Sequence, residues 1–174
     1  NTDQNYYDGA DCTEGVWTVA SNEGYLPWSE CESNNIILGT LYPSTGYVQN
    51  QWTAFYRGIQ KANVYLAEIE KYWTKAECRA LRAYYYFNLV RLFGPVPLIG
   101  DKVYNIDDPL DQMMLHRAPV DSCFDYVISE LKDVISSGHL ISQFNGAGAF
   151  DDQFAGNLTQ EAAEGILSIV YLYR

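Results

Sequence analysis

Few residues in this chain are of types that do chemistry, and they are scattered. The only two histidines are His116 and His139. No Gly-x-Ser-x-Gly elbow adjoins either, so nothing recruits them as bases for a nucleophile, and both read as solvated loop histidines. Acidic pairs occur at Glu30 and Glu32, Asp107 and Asp108, and Asp151 and Asp152. A glycosidase needs two carboxyl groups about 5–10 Å apart across a cleft, whereas neighbouring acids in a loop are ordinarily solvated. Asp107-Asp108-x-x-Asp111 offers oxygen ligands but lacks the spacing and the glycine of an EF-hand loop. There is no phosphate-cradling loop and no dinucleotide fingerprint. Cys12, Cys31, Cys78 and Cys123 form no Cys-x-x-Cys pair and have no histidines at zinc spacing. We therefore expect no metal, no cofactor and no catalytic residue.

The chemistry that remains is recognition. A sugar ring presents an apolar C–H face edged with hydroxyls, so Trp or Tyr stacks on the face while amides and carboxylates fix its orientation. Residues 1–50 are rich in Gly, Ser, Asn, Asp and aromatics without sustained periodicity, which reads as loops. They supply Trp28 near Asn34 and Asn35, then Tyr42, Tyr47 and Asn50. Trp28, Tyr42 and Tyr47 are the expected ligand-binding residues. The competing reading makes these rings anchors that pin a long loop to the helices, and Trp17 is a weaker candidate still.

The totals narrow the partners. The formal charge is −11, from 11 Lys plus Arg against 22 Asp plus Glu. Such a surface repels phosphate backbones and anionic membranes, so neither nucleic acid nor a bare lipid surface is expected. A hydrophobic content of 48% fits a folded domain. The 15 tyrosines are the outlier, and three of them, Tyr84 to Tyr86, point three ways around one helix, so most are expected to pack. No apolar run approaches the roughly 20 residues of a membrane span. No signal peptide is visible, and the opening Asn-Thr-Asp-Gln-Asn reads as that of a processed or trimmed product.

Four helices must position whatever binds, near 51–72, 75–93, 120–136 and 160–174. In the first, Trp52, Phe55, Ile59, Ala62, Leu66 and Ile69 form a stripe at spacings of three and four, which makes Trp52 core. In the second, Ala80, Ala83, Tyr84, Phe87 and Val90 share one face and Leu81, Tyr85, Leu89 and Leu92 another. So broad an apolar circumference demands neighbours on several sides, and Phe87 is expected in the core. Gly94, Pro95 and Pro97 end it. In the third, Val120, Cys123, Phe124, Val127, Ile128, Leu131, Val134 and Ile135 face inward, Pro119 suits the first turn and Gly138 closes the helix. In the fourth, Thr159 caps, Glu161 favours the positive dipole end, and Ala163, Ile166, Leu167, Val170 and Tyr171 are buried. Cys78 and Cys123 sit in these patterns as small buried hydrophobes. Cys12 and Cys31 share the loop region, and whether they pair stays open. Asn157-Leu158-Thr159 also has the form of a glycosylation sequon.

The run from Arg79 to Ile99, Arg-Ala-Leu-Arg-Ala-Tyr-Tyr-Tyr-Phe-Asn-Leu-Val-Arg-Leu-Phe-Gly-Pro-Val-Pro-Leu-Ile, closely resembles, without a gap, the signature of the SusD/RagB family. Its members are surface-exposed glycan-binding lipoproteins of Gram-negative bacteria that degrade polysaccharides. Trp52 to Asn63 and Arg117-Ala-Pro-Val120 resemble further family patterns, while Asn157 stands where the family has arginine. The resemblance implies an all-α fold of tetratricopeptide-like paired helices with long loop insertions. It assigns 1–50 to a loop-rich N-terminal segment, 51–174 to the helical segment, and the remainder of the family domain to sequence beyond this chain. It further implies a non-enzymatic glycan binder in nutrient uptake, with a SusC-like TonB-dependent transporter as partner. Its place is the outer membrane at the cell surface, held by a lipid anchor outside this chain because Cys12 lacks the setting of a lipidated cysteine. Two other classes stand beside this one, a helical-repeat scaffold for protein or peptide and a glycoside hydrolase fragment.

Overall fold

A computed structural model describes residues 21, 35, 38–40, 42–43, 46–105, 107–109, 114–144 and 156–174. Among these the architecture is all-α, with the paired-helix, tetratricopeptide-like arrangement. The four helices are α1 (Gly46–Glu68), α2 (Tyr72–Phe93), α3 (Val120–Ser136) and α4 (Gln160–Tyr173). The chain divides into two compact units, 1–54 and 55–174. Cys12 and Cys31 lie outside the described residues, as do the acidic pairs at 30 and 32 and at 151 and 152.

In the second unit α2 packs along α3, α3 along α4, and α4 returns to touch α2. The shared core is Ala80, Ala83, Tyr86, Phe87, Leu89 and Val90 of α2 against Cys123, Phe124, Val127, Ile128, Leu131 and Val134 of α3. Ala163 and Val170 complete it from α4. Burying each large side chain here stabilises by roughly 1.5–3 kcal/mol. The second half of α1 meets α2 at Gly58, where a methyl group would lie 2.6 Å from the Tyr85 ring. Only glycine permits that approach, and Phe55 lies against the same ring with centroids 6.3 Å apart.

The helix boundaries differ from expectation at two places. α1 begins at Gly46 rather than near 51, since nothing between Gly46 and Asn50 opposes a helix once Pro43 is passed. The break before α2 falls at 69–71, with Lys71 extended (φ −71°, ψ 118°), so Tyr72, Trp73 and Thr74 belong to α2. Pro119 is the residue before α3 rather than its first turn (φ −54°, ψ 150°), and its carbonyl accepts from the Cys123 N–H at 3.0 Å. Three side chains also depart from the sequence pattern. Tyr84 is 40% exposed and Tyr171 46%, although both were expected inside. Cys78 is half-buried while Cys123 is fully buried, and neither is in a disulfide. Each helix touches partners on a narrower arc than its apolar residues cover, so the outermost members of each stripe face outward.

The ends are chemically marked. Gly94 caps α2 at φ +69° and donates its N–H to the Val90 carbonyl, while Gly138 follows α3 at φ +65°. Thr159 accepts from the Ala162 N–H and is 2% exposed, so the sequon threonine is committed to capping. Glu161, in the first turn of α4, accepts from the Ser142 hydroxyl and the Gln143 N–H. Those two hydrogen bonds, the Ser142 one foremost, lower its carboxyl from 4.5 to about 2. A carboxyl held lower in the folded state binds fewer protons there than in the unfolded chain. Its contribution is therefore complete above pH 4.5 and is lost as the pH falls towards about 2. Urea midpoints across that window should fall less steeply for Glu161→Gln than for the wild type; parallel curves would show that Glu161 is not coupled to folding.

Candidate ligand-binding residues and a buried polar knot

After Gly94 the chain turns back over the helices in a segment that is neither helix nor sheet. Pro95 and Pro97 donate no backbone hydrogen bond, and the carbonyls of an irregular segment need donors from elsewhere. Side chains of the helices supply most of them. Arg117 Nη1 donates to Pro95 O at 2.9 Å and Tyr56 Oη to Pro97 O at 2.8 Å. Asn63 Nδ2 donates to Gly100 O and Lys102 O at 2.9 Å each, and Gln60 Nε2 to Tyr104 O at 2.9 Å. The Ala118 N–H reaches Val96 O at 3.0 Å, an isolated antiparallel bridge. Ile99 donates its N–H to the hydroxyl of the fully buried Tyr86 at 2.8 Å.

Arg82 is the centre of this arrangement. It is 2% exposed, and its guanidinium reaches α1, α3 and the returning segment at once. Nη1 donates to Asn63 Oδ1 at 2.7 Å and to Asp101 Oδ1 at 2.5 Å. Nη2 donates to Glu130 Oε2 at 2.8 Å. Arg79, one helical step away, forks onto the same Glu130 carboxylate at 2.8 and 3.2 Å. Burial alone would push the Glu130 carboxyl up, but hydrogen bonds from Arg79 and Arg82 outweigh it and hold it below the usual range. Burial pushes the Tyr86 hydroxyl up to about 12, so it stays protonated. Asp101 is 87% exposed at its side chain, so its pair with Arg82 is screened and adds less than the enclosed Glu130 pair. Helical spacing alone gives Arg79, Arg82 and Asn88 no role. The signal that would have found the knot is a charged residue flanked by alanines on the buried face of the most apolar helix.

These groups are occupied with one another, so they position the fold rather than offer an open subsite. Among the described residues no group of three or more His, Cys, Asp or Glu gathers as a metal site. Asp108 accepts from the Asn105 N–H at 2.9 Å, a local turn. His116 is exposed, and exposed His139 stacks on Tyr72 with centroids 5.2 Å apart. Asn157 donates to Glu77 at 3.4 Å, and the Leu158 N–H joins it at 2.9 Å, which ties the start of α4 to α2.

The expected binding residues belong to the first unit. Tyr42 is 64% exposed and follows a turn closed by Thr40, whose N–H donates to the Asn35 carbonyl at 2.8 Å. Gly39 makes that turn at φ +64°, and the Thr40 hydroxyl engages the Asn35 amide oxygen at 3.3 Å. One amide expected to orient a ligand thus has a structural partner. Tyr47 is the second residue of α1, but its side chain lies outside the described ones, as does Trp28 altogether. Trp52 is half-buried rather than core.

The knot gives a stability prediction. Arg82→Met leaves Glu130 and Asn63 without their buried partner, and breaking such a pair costs about 3–5 kcal/mol. Chemical denaturation should show a loss of that size, with less than about 1 kcal/mol from Asp101→Asn because the Asp101 pair is solvent-screened.

Comparison with known proteins agrees with this architecture. A family model described as starch-binding, associating with the outer membrane, matches residues 5–172. A SusD-like protein of Bacteroides ovatus is 27% identical over 88% of this chain and 27% of its own length. A solved SusD-like carbohydrate-binding protein of Bacteroides fragilis is 21% identical with a TM-score of 0.69, covering 82% of this chain and 27% of that one. A structure determined with a xylogluco-oligosaccharide is 25% identical with a TM-score of 0.70, covering 91% of this chain and 30% of the other. The chain thus spans about a quarter of the length of the curated relative it matches. With the model matching nearly its whole sequence and the fold shared with these proteins, the chain belongs to the SusD-like family.

Proposed function

We propose that this chain is part of a non-catalytic, cell-surface glycan-binding protein of the outer membrane that takes up oligosaccharide together with a SusC-like TonB-dependent transporter. The observation that carries the reading is the family match across residues 5–172, whose description names starch binding and association with the outer membrane. The relative determined with a xylogluco-oligosaccharide supports a neutral glycan as ligand class. The net charge of −11 is compatible with an uncharged ligand and unfavourable for polyanions. No described helix is long and apolar enough to cross a membrane, and the attachment proposed is a lipid anchor outside these residues.

Within the chain, residues 1–50 act as a loop-rich segment that runs into α1 at Gly46 and presents aromatic side chains, and 51–174 as a helical segment. The remainder of the family domain lies outside this chain. Trp28, Tyr42 and Tyr47 are the proposed stacking residues. Tyr42 supports the proposal best, because its ring is exposed just after a closed turn that limits its freedom.

Calorimetric titration of the full-length protein with xylogluco-oligosaccharides and starch oligosaccharides tests the reading, with product analysis alongside. Saturable binding without new reducing ends is expected. Tyr42→Ala should weaken binding by about 1–3 kcal/mol, by analogy with aromatic stacking on other planar ligands, and leave the melting temperature unchanged. Early melting with normal affinity in the folded fraction would make Tyr42 a loop anchor. Turnover of the glycan would put the protein among the hydrolases, and peptide binding without glycan affinity among the repeat scaffolds.

A further inference from the structure

Two polar atoms in the knot are buried without a hydrogen-bond partner, the Nε of Arg82 and the hydroxyl of Tyr126. Their helices pack against each other. Arg82 and Tyr86 stand four residues apart on one face of α2, and Tyr126 and Glu130 stand four apart on the facing side of α3. Arg82 holds Glu130 at 2.8 Å, and Tyr86 meets Tyr126 edge-on with ring centroids 5.1 Å apart. The two contacts are matched in antiparallel order, so Arg82 and Tyr126 stand at diagonal corners of the quadrilateral they define, and the Arg82 charge acts on the Tyr126 hydroxyl. We propose that a single buried water molecule belongs to this knot, held between the Nε–H of Arg82 and the hydroxyl of Tyr126.

The chemistry of the two atoms selects the occupant. Nε–H can only donate, so the bridging atom must accept; the phenol can donate or accept, so it can complete the bridge either way. An anion is disfavoured because the carboxylates of Glu130, Asp101 and Asp133 already outnumber Arg79 and Arg82, and a cation cannot accept from Nε–H. Burial drives the Tyr126 hydroxyl far above its usual range, so it remains a neutral phenol. Arg82, Glu130, Tyr86 and Asp101 also act on it electrostatically, which places it among the charges of the knot. A buried donor left unpaired is costly, and a small polar gap with two or more partners is the setting in which buried water is retained. Tyr126 is then a positioning residue for Arg82 through the water.

The test is a high-resolution crystal structure of the full-length protein, wild type and Tyr126→Phe, with melting temperatures for both. The wild type should show a well-ordered water within about 3.2 Å of both Arg82 Nε and Tyr126 Oη. Tyr126→Phe keeps the ring against Tyr86 but should lose or displace that water, melt several degrees lower, and speed solvent exchange at the Arg82 Nε–H. The inference is overturned if the wild type shows no density there or has Nε–H bonded directly to a protein acceptor. It is equally overturned if Tyr126→Phe melts at or above the wild-type temperature with the Arg82 surroundings unchanged.

Discussion

A guanidinium that is 2% exposed must be paired wherever it goes, and Arg82 is paired on three sides. Its partners come from α1 through Asn63, from α3 through Glu130, and from the returning segment through Asp101 and Gly100. A buried charge of this kind is a poor source of net stability compared with apolar packing, but it tolerates few alternatives. We read it as a register lock: α1, α2, α3 and the segment after Gly94 satisfy Arg82 together only in one relative placement. The apolar core supplies the driving force and the knot supplies the selectivity.

This gives the signature stretch a physical meaning. Within Arg79 to Ile99, Arg79 and Arg82 hold Glu130, Tyr86 holds the Ile99 N–H, Gly94 turns the chain, and the carbonyls of Pro95 and Pro97 are taken up by Arg117 and Tyr56. The stretch is therefore a scaffold device, and its residues are consumed in internal contacts. The recognition proposed for this protein falls to aromatics elsewhere, with Tyr42 as the exposed representative.

Much of the frame was legible from spacing. The 3.6-residue pattern located α3 at Val120–Ser136, and Thr159 and Gly94 act as the caps their residue types imply. Phe87 is 2% exposed as its stripe requires. Periodicity could not tell which apolar residues at the margins of a stripe would be covered, and Tyr84 and Tyr171 face outward because that depends on where neighbours end. It was equally silent on polar residues with distant partners. Arg82 and Glu130 are 48 residues apart in sequence, and no local rule pairs them. Nothing local calls for a glycine at 58 inside α1, and the Tyr85 ring against it supplies the reason. The candidate site was the least legible part, since a ring in a loop has the same residue type whether it stacks on a ligand or anchors the backbone.

The knot clamps the irregular segment after α2 as firmly as the helices themselves are held. Native-state hydrogen exchange at the Ile99 amide reads this most directly, because that N–H is bonded to no backbone carbonyl but to the buried Tyr86 hydroxyl at 2.8 Å. Ile99 is expected to exchange only through global unfolding, with the same opening free energy as core amides such as Leu89. Exchange through a separate low-energy opening, as an ordinary surface loop shows, would contradict it.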